Sequence, residues 1–123
     1  MQFTIPGPPV PKARARVYTQ LRAVKPRAIT PTKTLRWESH ARMCALAARQ
    51  REKAWRTDAL AYDVVIRVYR SARRGDLDNY VKSALDSCNG IVWADDSRVT
   101  HLEASVHEVA KGDERVVVIV EIV

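Results

Sequence analysis

Apolar and polar positions alternate most plainly over LAYDVVIRVYR, residues 60–70. Tyr62, Val64, Ile66 and Val68 fall on one face of an extended chain, and Asp63, Val65, Arg67 and Tyr69 on the other. The β-branched and aromatic content favours a strand as well. The same reading predicts a short strand at residues 2–5, stopped by the Pro6–Pro9 run, and strands at 99–109 and 115–123 joined by a Lys111-Gly112-Asp113 turn.

A longer period runs from Thr32, a candidate N-cap, to about Lys53 or Trp55. There Trp37, Ala41, Cys44, Ala45 and Ala48 make one stripe, with Arg36, Arg42, Arg49 and Lys53 mainly elsewhere. A second helix is predicted from near Asp78 to Gly90, with Val81, Ala84, Leu85 and Cys88 as its apolar stripe. Residues 10–30 hold no lasting period and read as a basic loop, with a strand near Arg27–Ile29. The order β, helix, β, helix, β, β indicates one small α/β (α+β) domain over residues 1–123, a mixed sheet packed on two main helices.

With 123 residues, 46% of them hydrophobic, the chain is large enough for one core and too small for two. No apolar run reaches the roughly 20 residues that span a bilayer. The first residues lack the basic-then-apolar order of a signal peptide, so a cytoplasmic location is expected, in a bacterial cell or a phage-infected host. Cys44 and Cys88 lie far apart in helix-like segments and read as unbridged core thiols.

Charge adds direction. Residues 1–60 carry thirteen Lys/Arg and three acids, a net of 13 − 3 = +10, whereas residues 61–123 carry eight and eleven, a net of 8 − 11 = −3. A basic half joined to an acidic cluster suits a protein that holds a polyanion and works on it with a metal, and on charge alone a soluble protein with a biased surface is the alternative. No phosphate-binding glycine loop, Gly-x-Ser-x-Gly elbow or Cys–His pairing supports nucleotide hydrolysis or a nucleophilic side chain.

The acidic cluster lies in RRGDLDNYVKSALDSCNGIVWADDSRV, residues 73–99, with five aspartates and one lysine. Carboxylates repel unless a cation or proton joins them. If the chain is still extended at Asp76 and Asp78, both side chains share a face, roughly 6.5–7 Å apart, and can grip a divalent cation. Magnesium suits such hard oxygen ligands. Lys82 follows Asp78 by four on the same helix face and is placed to neutralise excess charge or contact a phosphate. Asp86 follows Lys82 by four, so a plain helix salt bridge competes for that lysine. Asp76 or Asp78 is equally a candidate helix cap. Capping needs only one carboxylate, and a second pair, Asp95-Asp96, follows beyond Gly90. Neighbours on extended chain point oppositely, so one of that pair is expected at the metal.

The run Asp76-Leu-Asp78-Asn79, Lys82, Asp86, Asn-Gly-Ile-Val-Trp93 and Asp95-Asp96-Ser97 resembles the RusA family of Holliday junction resolvases. IPGPPVPKARARV and TPTKTLRWE near the N-terminus are similar to that family's opening segments. The resemblance implies that Asp76, Asp78 and Asp96 are catalytic and bind metal, and that Lys82 is the essential lysine. It further implies a homodimeric, Mg²⁺-dependent endodeoxyribonuclease, with Mn²⁺ as a substitute, that cuts four-way DNA junctions in recombination and repair. A nuclease acting mainly on flaps or forks, and a module that binds branched DNA without cutting, remain alternatives.

Clustered cations supply candidate DNA contacts: Lys12, Arg14 and Arg16 after the proline-rich segment, and Arg73 and Arg74 beside the acidic site. Trp93 is expected in the core beneath the site. His101, Glu103, Ser105 and His107 alternate along one strand but lack the further ligands of a zinc site, so a solvated strand face is expected.

Overall fold

The computed structural model describes residues 1–12, 16–18, 27–29 and 32–123. The expected mixed sheet is present. Its four strands are β1 (Gln2–Pro6), β4 (Tyr62–Arg70), β5 (Val99–Glu108) and β6 (Arg115–Ile122), in the order β1-β6-β4-β5. The two helices are α1 (Thr32–Arg51) and α2 (Leu77–Cys88). A separate two-stranded ribbon pairs β2 (Arg16–Tyr18) with β3 (Arg27–Ile29), antiparallel. The strand at 27–29 matches the expectation. Its partner at 16–18 falls in the stretch expected as basic loop.

β6 pairs antiparallel with both β1 and β4, whereas β4 and β5 run parallel. Parallel neighbours need a crossover, and α2 supplies it. The pattern of strand β4 is as expected: Tyr62, Val64, Ile66 and Val68 are buried, while the opposite face is half-buried or exposed. Phe3 and Ile5 of β1 and Val116, Val118 and Val120 of β6 complete the buried face.

The helices cover that face. Trp37, Ala41, Ala45 and Ala48 of α1 are buried, and the three alanines let the helix lie close to its neighbours. From α2 come Tyr80, Val81, Ala84 and Cys88. Burial pushes the Cys88 thiol up to about 12, which keeps it protonated and inert.

Element ends differ from expectation in instructive ways. Helix α1 stops at Arg51, and Trp55 beyond it packs tilted against Tyr62, 6.0 Å between centroids, and donates its indole N–H to Val92 O at 2.8 Å. Helix α2 stops at Cys88, and Gly90, at φ +79°, serves the following turn rather than the helix end. Strand β5 is the most exposed of the four, and its His101, Glu103 and His107 face solvent as expected. Among the described residues no helix is long and apolar enough to cross a membrane.

Candidate functional site

The acidic residues collect where β4 hands over to α2 and where α2 hands over to β5. Between Arg70 and Leu77 the chain turns through an exposed loop that carries Arg73 and Arg74. Arg70 and Tyr80 hold this loop. Arg70 is almost wholly buried. It donates from Nε to Glu108 Oε1 at 3.0 Å and from Nη1 to the Gly75 carbonyl at 3.1 Å. Its guanidinium also lies 5.6 Å from the Tyr80 ring centroid, and the Tyr80 hydroxyl donates to the Arg74 carbonyl. The Glu108 bond, joined by Tyr80 and opposed by burial, raises the Arg70 pKa, so its charge is permanent.

Gly75 is the tightest point of the loop. Its φ is +75°, and a Cβ there would stand 2.9 Å from both Cβ and Cγ of Pro11. Only glycine allows the proline-rich arm to approach this closely. The arm and loop border a cavity of about 230 Å³, lined by Pro8, Pro11, Arg70 and Tyr80 and rimmed by Lys33, Arg74 and Lys111.

Asp76 follows directly and takes the N-cap position of α2 with extended backbone, φ −94° and ψ 157°. Its backbone carbonyl accepts from Asn79 and Tyr80, yet its side chain makes no capping bond. The capping reading therefore holds for the position and fails for the carboxylate. Asp78 lies in the first helical turn, not on extended chain, so the expected strand-like pairing of Asp76 with Asp78 gives way to a helix-start geometry. The two carboxylates sit exposed at the positive end of the helix dipole, which lowers the cost of gathering them.

The second acidic pair splits its duties. Asp95 caps a three-residue 3-10 turn, Asp96–Arg98, by accepting the Ser97 N–H at 3.0 Å, and these bonds lower its pKa. Asp96 instead meets Lys82: its Oδ2 lies 3.7 Å from Nζ. Lys82 is also 3.0 Å from Asp86 Oδ1, so both the helix pair and the reach toward the second acidic pair are realised. The bond to Asp86, helped by Asp96 and opposed by partial burial, raises the Lys82 pKa.

What brings Asp96 back to α2 is the turn after the helix. Gly90 N–H donates to Trp93 O at 2.7 Å, and the Trp93 indole donates to Asn89 Oδ1 at 2.8 Å. Trp93 is fully buried, 5.9 Å from the Tyr62 ring. Arg42 of α1, which sequence reading left on the helix surface, donates to the Asn89 carbonyl at 3.0 Å and to that of Ser87 at 3.4 Å. It thus satisfies carbonyls orphaned at the end of α2. Nothing local in the sequence signals this contact, because its partners lie more than forty residues away.

Lys12 is placed otherwise than a backbone-tracking cation would be. Its Nζ lies 2.6 Å from Glu38 Oε1 and 3.3 Å from Asp86 Oδ2, and these two acids raise its pKa although burial works against the charge. Arg14 falls outside the described residues, and of Arg16 only the strand backbone is described. Arg73 and Arg74 are exposed beside Asp76.

The oxygen donors of Asp76, Asp78 and Asp96 fit a hard divalent cation by chemistry, and the Asp76 carboxylate is not engaged in capping α2. Among the described residues, however, no three His, Cys, Asp or Glu side chains are gathered closely enough to hold a metal ion. A lysine stands beside Asp96 in their place.

The family model described as "Endodeoxyribonuclease RusA" matches residues 6–121. No curated protein matches the chain.

Proposed function

The chain belongs to the RusA family of endodeoxyribonucleases, and from that membership we propose that it cuts four-way DNA junctions in recombination and repair, as a Mg²⁺-dependent homodimer. The match spans nearly the whole chain, so residues 1–123 are read as one working domain.

Asp76, Asp78 and Asp96 are the residues that would hold the magnesium. When bound, the cation would activate a water and offset the negative charge that builds on the reacting phosphate. The protein's own part is placement. Asp76 and Asp78 project from the start of α2, and the turn built on Gly90, Asn89 and Trp93 returns Asp96 to the same helix. Lys82, whose side chain is exposed between buried residues of α2, carries the positive charge nearest to Asp96 among the described residues. In the cleaving state it is assigned to the non-bridging oxygen of the reacting phosphate, where a cation lowers the barrier most. Arg73 and Arg74 extend from the loop before Asp76 and are assigned to flanking phosphates, with Arg14 and Arg16 as further DNA contacts. Two copies related by a two-fold axis would present two such sites to two opposed strands, which paired cleavage of a junction requires.

The observation that supports this reading is the Lys82–Asp96 approach, because it brings the second acidic segment against the helix whose start carries Asp76 and Asp78. The test is purified protein on a synthetic four-way junction, with Mg²⁺ and then with chelator. Metal-dependent cutting on opposed strands is expected. A flap cut much faster than the junction would move the substrate to other branched DNA. Tight binding without cutting would make the protein a binding module.

A further inference from the structure

Four charged side chains from three parts of the chain form one line that ends at the site. Glu38 of α1 holds Lys12 at 2.6 Å, Lys12 reaches Asp86 Oδ2 at 3.3 Å, and the other oxygen of Asp86 lies 3.0 Å from Lys82 Nζ. The Lys12 backbone N–H also donates to the Asn79 carbonyl at 2.9 Å, which pins the N-terminal arm to α2 at a second point. Glu38, Asp86 and Lys12 are each largely shielded, with side chains 17%, 22% and 28% exposed, whereas Lys82 is 56% exposed.

That gradient matters. A lone Lys82–Asp86 pair at i, i+4 on a helix surface is a weak, solvent-screened contact that fixes little. An Asp86 carboxylate clamped from its far side by Lys12 is a fixed anchor instead. We propose that Lys12, itself seated by Glu38, is a positioning residue for DNA cleavage, holding Asp86 so that Asp86 in turn sets where the Lys82 ammonium stands. Without Lys12, the Glu38 and Asp86 carboxylates would lose the ammonium between them, and Asp86, held then by Lys82 alone, would shift to relieve the repulsion. Lys12 then serves cleavage without touching DNA, in contrast to the neighbouring arginines of the basic segment.

The inference rests on Lys82 acting at the reacting phosphate, as proposed above. It is tested by single-turnover cleavage of a labelled four-way junction in Mg²⁺, paired with junction affinity measured in chelator. At saturating enzyme, Lys12→Met is expected to cut about tenfold more slowly, a loss typical of a displaced catalytic group, while its affinity stays within about twofold. Lys12→Arg keeps the charge and restores most of the rate. A saturated rate equal to wild type overturns the proposal. So does a loss confined to affinity, which would mark Lys12 as a phosphate contact. If Lys12→Met does not fold, Asp86→Asn, nearly isosteric, decides by the same criteria. Wild-type protein that fails to cut sinks the functional reading itself, whereas wild type that cuts alongside an equally fast Lys12→Met sinks only this inference.

Discussion

The Lys82 ammonium lies 3.7 Å from the Asp96 carboxylate, and this approach joins α2 to the acidic segment beyond it. Asp95, one residue earlier, is spent on the Ser97 N–H. The two neighbouring acids are thus unequal in what they can offer a substrate.

Asp96→Ala is therefore expected to slow junction cleavage by on the order of a hundredfold or more, the size of loss found when one member of a charge-stabilising site is removed. Asp95→Ala should keep most of its rate, since it removes only a turn cap. Single-turnover rates of the two variants, side by side, check this. The reverse order would give the metal-binding role to Asp95.

Gly75→Ala should destabilise the fold by about 1–3 kcal/mol, because a left-handed backbone and a contact with Pro11 both oppose the methyl group. Cleavage should fall further than stability alone accounts for, since the Gly75 carbonyl is held by Arg70 and the next residue is Asp76. Chemical denaturation together with cleavage at a temperature where the variant stays folded separates the two effects.

Trp93→Ala should cost about 3–5 kcal/mol, the usual range for emptying a large buried aromatic site. The lost indole also releases Asn89 and with it the turn that returns the chain to Asp96. A shift in the unfolding midpoint measures the first effect, and weaker cleavage in the folded fraction measures the second.

Lys12 predicts a pH signature in stability. Its pKa is raised in the folded state above the ordinary 10.5, through Glu38 and Asp86 against the opposing effect of burial. A raised lysine contributes stability that is complete below the unfolded value and lost as pH rises through the folded one. The stability gap between wild type and Lys12→Met should thus be full at pH 8–9 and shrink above pH 10.5. A gap independent of pH over that range would mean that the ion pairs contribute nothing.

Much of the fold was legible because period and burial agree. The alternation of β4 and the alanine-rich stripe of α1 each announce a face that must be covered. The acidic site was legible in kind, since two aspartate pairs and a lysine stand close in sequence. Its geometry was less so. Asp78 already lies within a helix, so alternation could not describe its relation to Asp76. Lys12 looks like one more cation in a basic arm until α1 and α2 bring Glu38 and Asp86 to it. Arg42 likewise looks like surface charge until the end of α2 reaches it. These contacts depend on which elements the fold sets side by side, and no local pattern encodes that.

The most direct measurement compares wild type with Asp78→Asn on one labelled four-way junction, with cleavage in Mg²⁺ and binding in chelator. Wild type is expected to cut opposed strands, while Asp78→Asn binds as well or better, having lost negative charge near phosphate, and does not cut. Cutting by Asp78→Asn at the wild-type rate would contradict this expectation.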